Sequence, residues 1–216
     1  MVRLTDARGW MDPPLLAQAS RALSRRDPRL GAWIRRVGPC GLRHRGDPYT
    51  ALVHAILHQQ LAGAAAAAIG RRVRRLGRGR FPRPAALLAL HEEALRSAGL
   101  SRRKVETLRS LAEAFRSGQI TTRRLVRMDD SQVVETLTEI KGIGEWTAHM
   151  LLIFSLGRAD VLPLGDYGIR KGAQRLYALS ELPRGRELER ISEPWRPYRS
   201  VASWYLWQIA QADGKD

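Results

Sequence analysis

The chain has 216 residues, of which 44% are hydrophobic, so it can bury a sizeable core and its composition argues against global disorder. Lysine and arginine outnumber aspartate and glutamate by 37 to 21, and the resulting formal net charge of +16 indicates a polyanionic partner, because neutralised phosphates release condensed counterions. The sequence has neither a long apolar run nor an N-terminal signal segment, which argues against a membrane protein, and we expect a cytoplasmic, nucleoid-associated location.

The apolar pattern predicts an all-α fold. Apolar residues recur every three or four positions, the period of an amphipathic helix, whereas convincing period-two alternation is absent. The helical stretches are Leu15–Leu23, Tyr49–Leu76, Val105–Phe115, Val133–Leu137, Trp146–Leu156, Ile169–Leu179 and Val201–Ala210. Glycine and proline separate them at Gly38–Gly41, Gly77–Pro84, Gly118 and Pro163–Gly168.

The first long helical stretch has a defined start and a basic end. Asp47 followed by Pro48 favours a helix beginning at this point. The run Ala64–Ala68 consists of strong helix formers whose small side chains let neighbouring helices approach closely. Four arginines follow on this helix, and they either contact phosphate or form a solvated basic face: Arg71, Arg72, Arg74 and Arg75.

The strongest motif is segment 137–148, which reads Leu-Thr-Glu-Ile-Lys-Gly-Ile-Gly-Glu-Trp-Thr-Ala. Gly142 and Gly144 permit backbone angles that a Cβ atom forbids, and they place main-chain N–H groups at the start of the next helix. Such a turn binds a phosphate without reading base sequence. The alternative is an ordinary helix-capping glycine before a tight turn. The flanking residues favour a helix-hairpin-helix.

A second motif, segment 160–170, reads Asp-Val-Leu-Pro-Leu-Gly-Asp-Tyr-Gly-Ile-Arg. Asp166 precedes a helical stretch, so it is a candidate helix N-cap. It is also a candidate catalytic carboxylate, because a carboxylate at a helix N-terminus stays ionised and can stabilise a developing positive charge. The two roles are compatible.

These motifs resemble the 3-methyladenine DNA glycosylase II family of the helix-hairpin-helix superfamily of glycosylases, which carry a Gly/Pro-rich loop and an aspartate. Segment 55–61 resembles the family's first-lobe segment, which usually has Ser or Gly where His58 stands, and segment 193–207 resembles its C-terminal helix. The resemblance implies two all-α lobes with the active-site cleft between them. Residues 1–46 with 158–216 would form one lobe, and 47–157 the other, with the hairpin at about 134–156. Larger bacterial members have an additional N-terminal β-rich domain, so this chain resembles a compact form.

The resemblance implies a monofunctional DNA glycosylase that flips alkylated bases out of double-stranded DNA and hydrolyses the N-glycosidic bond, leaving an abasic site for base excision repair. Asp166 would be the catalytic residue. Bifunctional relatives have a Schiff-base lysine where Trp146 stands, so no strand cleavage is expected. The family also implies a monomer.

The resemblance assigns the remaining site residues by position. The predicted base pocket consists of Trp146, Met150, Tyr167 and Trp207. The predicted DNA contacts are Gln59, Gln60, Leu61, Gly142, Gly144 and Thr147. Gln60 is the predicted plug, the side chain that fills the gap left by a flipped base, with Leu61 as the neighbouring candidate. For the tryptophans the alternative is core packing, and for the glutamines it is the end of a helix.

No required cofactor is expected. Cys40 is the only cysteine, which excludes an internal disulfide and an iron–sulfur cluster, and the histidines lack zinc-ligand spacing. The resemblance implies a structural Na⁺, K⁺ or Mg²⁺ at the hairpin, held by the main-chain carbonyls of Thr138, Ile140 and Ile143.

Three other functions remain open at this stage. A non-catalytic helix-hairpin-helix DNA-binding protein would need neither Asp166 nor an aromatic pocket. A glycosylase for adenine mismatches or oxidised guanine is a second alternative, against which the missing cysteines and Trp146 argue. An RNA-binding structural protein would have the same positive charge.

Overall fold

The computed structural model describes residues 2–5, 11–61 and 63–212. Within these ranges the regular structure is helical, with a 3₁₀ turn at Glu193–Trp195 and isolated bridges between Arg3 and Arg158 and between Thr5 and Met11. The helices are α1 Pro13–Arg26, α2 Pro28–Val37, α3 Pro48–His58, α4 Gly63–Leu76, α5 Pro84–Ala89, α6 Glu92–Ser97, α7 Arg102–Arg116, α8 Thr122–Arg127, α9 Asp130–Thr138, α10 Glu145–Phe154, α11 Tyr167–Tyr177, α12 Gly185–Ser192 and α13 Arg199–Gln211. The predicted all-α fold is confirmed. None of the described helices is long and apolar enough to cross a membrane.

The chain divides into two compact units. The first consists of Met1–His44 and Leu156–Asp216, so it joins the two ends of the chain, and the second is the continuous segment Arg45–Ser155. The first unit contains α1, α2 and α11–α13, and the second contains α3–α10.

In the first unit, α11 packs closely along α13. A Cβ atom at Gly172 would lie 2.2 Å from the main-chain oxygen of Leu206, so only glycine permits this approach of the two backbones. Val201, Ala202, Tyr205 and other residues on the inner face of α13 are buried. The close packing fixes the start of α11, which carries Asp166, against Trp207 on α13.

In the second unit, α3 is the central helix and packs against α4, α7 and α10. Asp47 caps it by accepting a hydrogen bond from the N–H of Thr50 at 3.2 Å, and Pro48 occupies the first turn, where no N–H is needed. The apolar residues of α3 are buried on nearly every side, as expected of a helix enclosed by three others.

The predicted stretch Tyr49–Leu76 forms two helices. Gln59 leaves the helical region with φ −54° and ψ 125°, and Gln60 adopts a left-handed conformation with φ 53°. Residues other than glycine rarely adopt that conformation, so the turn has to be held by its surroundings. It ends α3 and leaves Gln60 and Leu61 exposed before α4 begins.

Candidate functional site

The hairpin turn between α9 and α10 depends on Gly142. Its φ of 85° lies in the left-handed region that favours glycine. A Cβ atom at this position would lie only 2.0 Å from Oγ1 of Thr107 on α7. Thr107 is itself buried, and its hydroxyl donates to the main-chain oxygen of Arg103 at 2.9 Å. Both the conformation and the available space therefore require glycine.

Gly144 differs from Gly142 in both respects. Its φ of −107° is open to any residue, and nothing lies within 4 Å of a Cβ atom built on it. It is the N-cap of α10 and is exposed. Among the described residues, no acceptor pairs with the N–H groups of Gly144 or Glu145. The positive end of α10 is therefore open to an anion such as a DNA phosphate.

Gln59 connects the end of α3 to this hairpin. Its Nε2 atom donates to the main-chain oxygen of Gly142 at 3.2 Å and to Oγ1 of Thr147 at 2.9 Å. The side chain predicted to contact DNA thus makes two hydrogen bonds within the protein. By contrast, Gln60 and Leu61 are exposed to solvent, and Leu61 is 39% exposed.

The other predicted residues of the second unit lie along α10. Trp146 occupies the first turn and is half-buried. Thr147 is buried beneath the hairpin, where its hydroxyl accepts the bond from Gln59. Met150 is 7% exposed and belongs to the core of the helix packing. Of these three side chains, Trp146 is the most accessible.

In the first unit, Asp166 caps α11. Its Oδ1 atom accepts a hydrogen bond from the N–H of Ile169 at 2.8 Å, which is the predicted N-cap bond. The same oxygen accepts a second bond from Nε1 of Trp207 at 2.9 Å. Asp166 is only 9% exposed, so two N–H donors and the positive end of α11 hold this carboxyl group in one place.

Gly168 permits the contact between Asp166 and Trp207. A Cβ atom at this position would lie 2.8 Å from Cδ1 of Trp207 and 3.2 Å from Oδ1 of Asp166. The indole of Trp207 can therefore reach the carboxyl group of Asp166 only because residue 168 has no Cβ atom. Tyr167, the remaining predicted pocket residue, begins α11 and is 66% exposed.

Two stacked histidines lie on α3 behind the Gln59–Leu61 loop. The rings of His54 and His58 have centroids 4.1 Å apart and an interplanar angle of 11°. Nη1 of Arg45 lies 2.9 Å from Nδ1 of His54, and Nδ1 of His58 lies 2.9 Å from the main-chain oxygen of His54. Burial, followed by the charge of Arg45 and the proximity of His58, lowers the pKa of His54 to about 3.

The low pKa of His54 predicts loss of stability in acid. A lowered pKa favours the neutral ring in the folded state, so the unfolded chain takes up the proton first as the pH falls through the ordinary value of 6.5 towards about 3. We expect the free energy of unfolding, from urea titrations at pH 7.5 and pH 5, to fall more in the parent than in His54→Gln. His91→Gln, at an exposed position, is the control. An equal fall in parent and His54→Gln would contradict the assignment.

The main-chain oxygens of Thr138, Ile140 and Ile143, which are predicted to hold a cation, have few competing hydrogen bonds. The oxygen of Ile140 accepts the N–H of Ile143 at 3.0 Å and keeps a second lone pair. Among the described residues, no donor pairs with the oxygens of Thr138 or Ile143. These oxygens fit a hard cation. No group of three or more His, Cys, Asp or Glu side chains in the described part of the chain could hold a metal ion.

The structure thus brings together Gln59, Gly142 and Thr147 in the second unit, and Asp166 and Trp207 in the first. Two residues on which these arrangements depend, Thr107 and Gly168, were not predicted as functional residues from the sequence. No pattern in the sequence identifies Thr107, because its role depends on the packing of α7 against the hairpin. Gly168 could have been identified, because it lies only two residues beyond Asp166 in the same motif.

The chain is similar to known proteins over most of its length. Residues 53–197 match the model of the HhH-GPD superfamily of base excision DNA repair proteins. The chain is 38% identical to DNA-3-methyladenine glycosylase 1 of Schizosaccharomyces pombe over 201 residues, which are 91% of this chain and 88% of that protein.

Solved structures of 3-methyladenine DNA glycosylases are also similar to this chain. The 3-methyladenine DNA glycosylase of Schizosaccharomyces pombe, in complex with abasic DNA, superposes with a TM-score of 0.82 at 38% identity, covering 88% of this chain and 95% of the solved one. DNA-3-methyladenine glycosidase from Bacillus halodurans gives a TM-score of 0.74 at 37% identity, covering 98% and 92%.

Proposed function

Because this chain belongs to the HhH-GPD superfamily of base excision DNA repair proteins, we propose that it binds double-stranded DNA as a monomer and excises alkylated bases of the 3-methyladenine type. The observation that carries the proposal is the buried carboxyl group of Asp166, which accepts bonds from the N–H of Ile169 and from Trp207. The proteins compared above are named 3-methyladenine DNA glycosylases or glycosidases, so the alternative of a non-catalytic DNA-binding protein has no support.

In this proposal Asp166 is the catalytic residue. The bond between C1′ of the deoxyribose and the ring nitrogen of the base breaks, and its electron pair leaves with the base. Positive charge then develops on the sugar, and the fixed carboxylate of Asp166 stabilises it electrostatically. Water adds to C1′ and loses a proton, which gives an abasic site and the free base. An alkylated base that carries a positive charge leaves as a neutral molecule, so little acid catalysis is needed.

The proposed base pocket is aromatic. In this proposal the electron-rich rings of Trp146 and Trp207 would suit a cationic base, and Met150 and Tyr167 would be further lining residues. Trp207 would have two roles, because its Nε1 atom also holds Asp166. The indole would then fix the catalytic oxygen and contact the base with the same ring system.

The proposed DNA-binding elements belong to the second unit. The N–H groups of Gly144 and Glu145, at the start of α10, would bind a phosphate, and the exposed Gln60 would fill the gap left by the flipped base. Na⁺, K⁺ or Mg²⁺ on the main-chain oxygens of Thr138, Ile140 and Ile143 would link the hairpin to the phosphate and would take no part in the chemistry. No cofactor is required for the proposed reaction.

The test is base release from alkylated duplex DNA, with the products identified by mass spectrometry. We expect free alkylated bases such as 3-methyladenine and an intact abasic strand, because Trp146 offers no amine for a Schiff base. Borohydride should therefore trap no covalent complex between the protein and its substrate. A trapped adduct would overturn the monofunctional assignment, and the absence of released bases from any alkylated duplex would overturn the glycosylase.

A further inference from the structure

We propose that Gln59 is a positioning residue that couples the phosphate-binding hairpin to the Gln60–Leu61 loop tip, so that the plug is placed correctly only when the hairpin is in place. The inference rests on the proposed function. It changes the expectation for Gln59 from direct DNA contact to an action through Gln60, which is its immediate neighbour at the exposed end of the turn.

The hydrogen bonds of Gln59 determine which way its amide faces. A primary amide has two N–H donors on Nε2, and here the two acceptors are the main-chain oxygen of Gly142 at 3.2 Å and Oγ1 of Thr147 at 2.9 Å. If the amide were reversed, its oxygen would face the oxygen of Gly142 without a proton between them. The orientation is therefore set by the hairpin, and the full donor capacity of the side chain is used inside the protein.

The hairpin side of this contact is rigid. Gly142 has φ 85°, a conformation that favours glycine, and Thr107 fills the space that any Cβ atom would need. Thr147 is buried in the first turn of α10. Gln59 is thus bonded on both sides of the N-cap Gly144, since Gly142 precedes that residue in the turn and Thr147 follows it in α10.

The loop side is held less firmly, which is why a positioning contact is needed there. Lys104 donates to the oxygen of Leu57 at 2.8 Å and so fixes the last turn of α3. Beyond Gln59, Gln60 is held in a left-handed conformation, at φ 53°, that is unfavourable for a residue with a Cβ atom. Leu61 contributes one long bond to His58, at 3.4 Å. The two side-chain bonds of Gln59 are the specific link between this strained tip and the hairpin.

The test combines Gln59→Met, which keeps the side-chain length but removes both donors, with Gln60→Ala. A hydrogen bond of this kind is worth about fivefold, and Gln59→Met removes two of them, so we expect the variant to slow excision of a paired lesion by about fivefold or more. In the Gln60→Ala variant, adding Gln59→Met should slow excision of the paired lesion by less than a further twofold. On a single-stranded lesion, which needs no plug, Gln59→Met should have less than a twofold effect.

A merely structural role would give a different result. The coupling is wrong if the double variant slows excision by the product of the two single effects. It is also wrong if Gln59→Met slows excision of the single-stranded lesion as much as excision of the paired one. Gln60→Ala with the activity of the parent on paired lesions would also overturn it, because there would be no plug to position. Thr147→Val, which removes the acceptor, should reproduce part of the effect of Gln59→Met.

Hydrogen exchange in DNA-free protein separates this inference from the proposed function. We expect Gln59→Met to increase exchange of the amides of residues 140–147 and of Leu61, relative to the parent, whether or not the protein releases bases. Unchanged exchange in both segments would overturn the coupling. Failure of the parent to release any base, with increased exchange in the variant, would overturn the glycosylase and leave the physical link in place.

Discussion

Asp166→Asn is expected to reduce the rate of base release by at least about 10²-fold, while affinity for the damaged duplex stays close to that of the parent. Asparagine has the same shape, and its side-chain oxygen can still accept bonds from the N–H of Ile169 and from Nε1 of Trp207. What it removes is the negative charge that opposes the positive charge forming on the sugar. Single-turnover kinetics at saturating protein measure this loss separately from binding.

A matched control separates the charge from the helix cap. Asp47 caps α3 through a bond to the N–H of Thr50, the same arrangement that Asp166 makes at α11. Asp47→Asn should therefore show what the loss of a capping charge does to the melting temperature, with base release unchanged. If Asp166→Asn releases bases as fast as the parent and has the same circular dichroism spectrum, the catalytic assignment is wrong.

The fold could be predicted to the level of its long helices. Stretches with apolar residues every three or four positions became α1, α7, α10, α11 and α13, because burial of one face selects that period. Helix α2 was not predicted, although Leu30, Trp33, Ile34 and Val37 have the same spacing. The six-residue helices α5, α6 and α8 are too short to show a period.

The candidate site could be predicted only where a motif defines it locally. The N-cap of Asp166 involves a residue three positions further along the chain, so the sequence contains both partners. The bonds from Gln59 to Gly142 and Thr147 join residues more than eighty positions apart. No local pattern records such a pair. Gln59 was therefore predicted to contact DNA, whereas in the structure its side chain donates hydrogen bonds to Gly142 and Thr147 of the protein.

Gly142→Ala is expected to destabilise the hairpin and weaken binding to every duplex, damaged or undamaged. A left-handed backbone costs a residue with a Cβ atom about 1–3 kcal/mol, and the new methyl group would also meet Oγ1 of Thr107 at 2.0 Å. Since about 1.4 kcal/mol corresponds to tenfold, we expect a loss of affinity of about tenfold, together with a lower melting temperature. Fluorescence anisotropy with undamaged duplex measures the first effect. Adding Thr107→Ala should recover part of the stability by removing the hydroxyl.

Gly144→Ala tests the same proposed phosphate site with a substitution that the fold accommodates. At φ −107° with no atom within 4 Å of the new Cβ, the folded protein accepts alanine at Gly144, so its melting temperature should match that of the parent. The methyl group would nevertheless stand beside the N–H groups of Gly144 and Glu145, where the phosphate is proposed to bind. We therefore expect weaker binding without lost stability. Parent-like binding by Gly144→Ala would place the phosphate elsewhere, because no defect in folding would be present to mask a contact at this position.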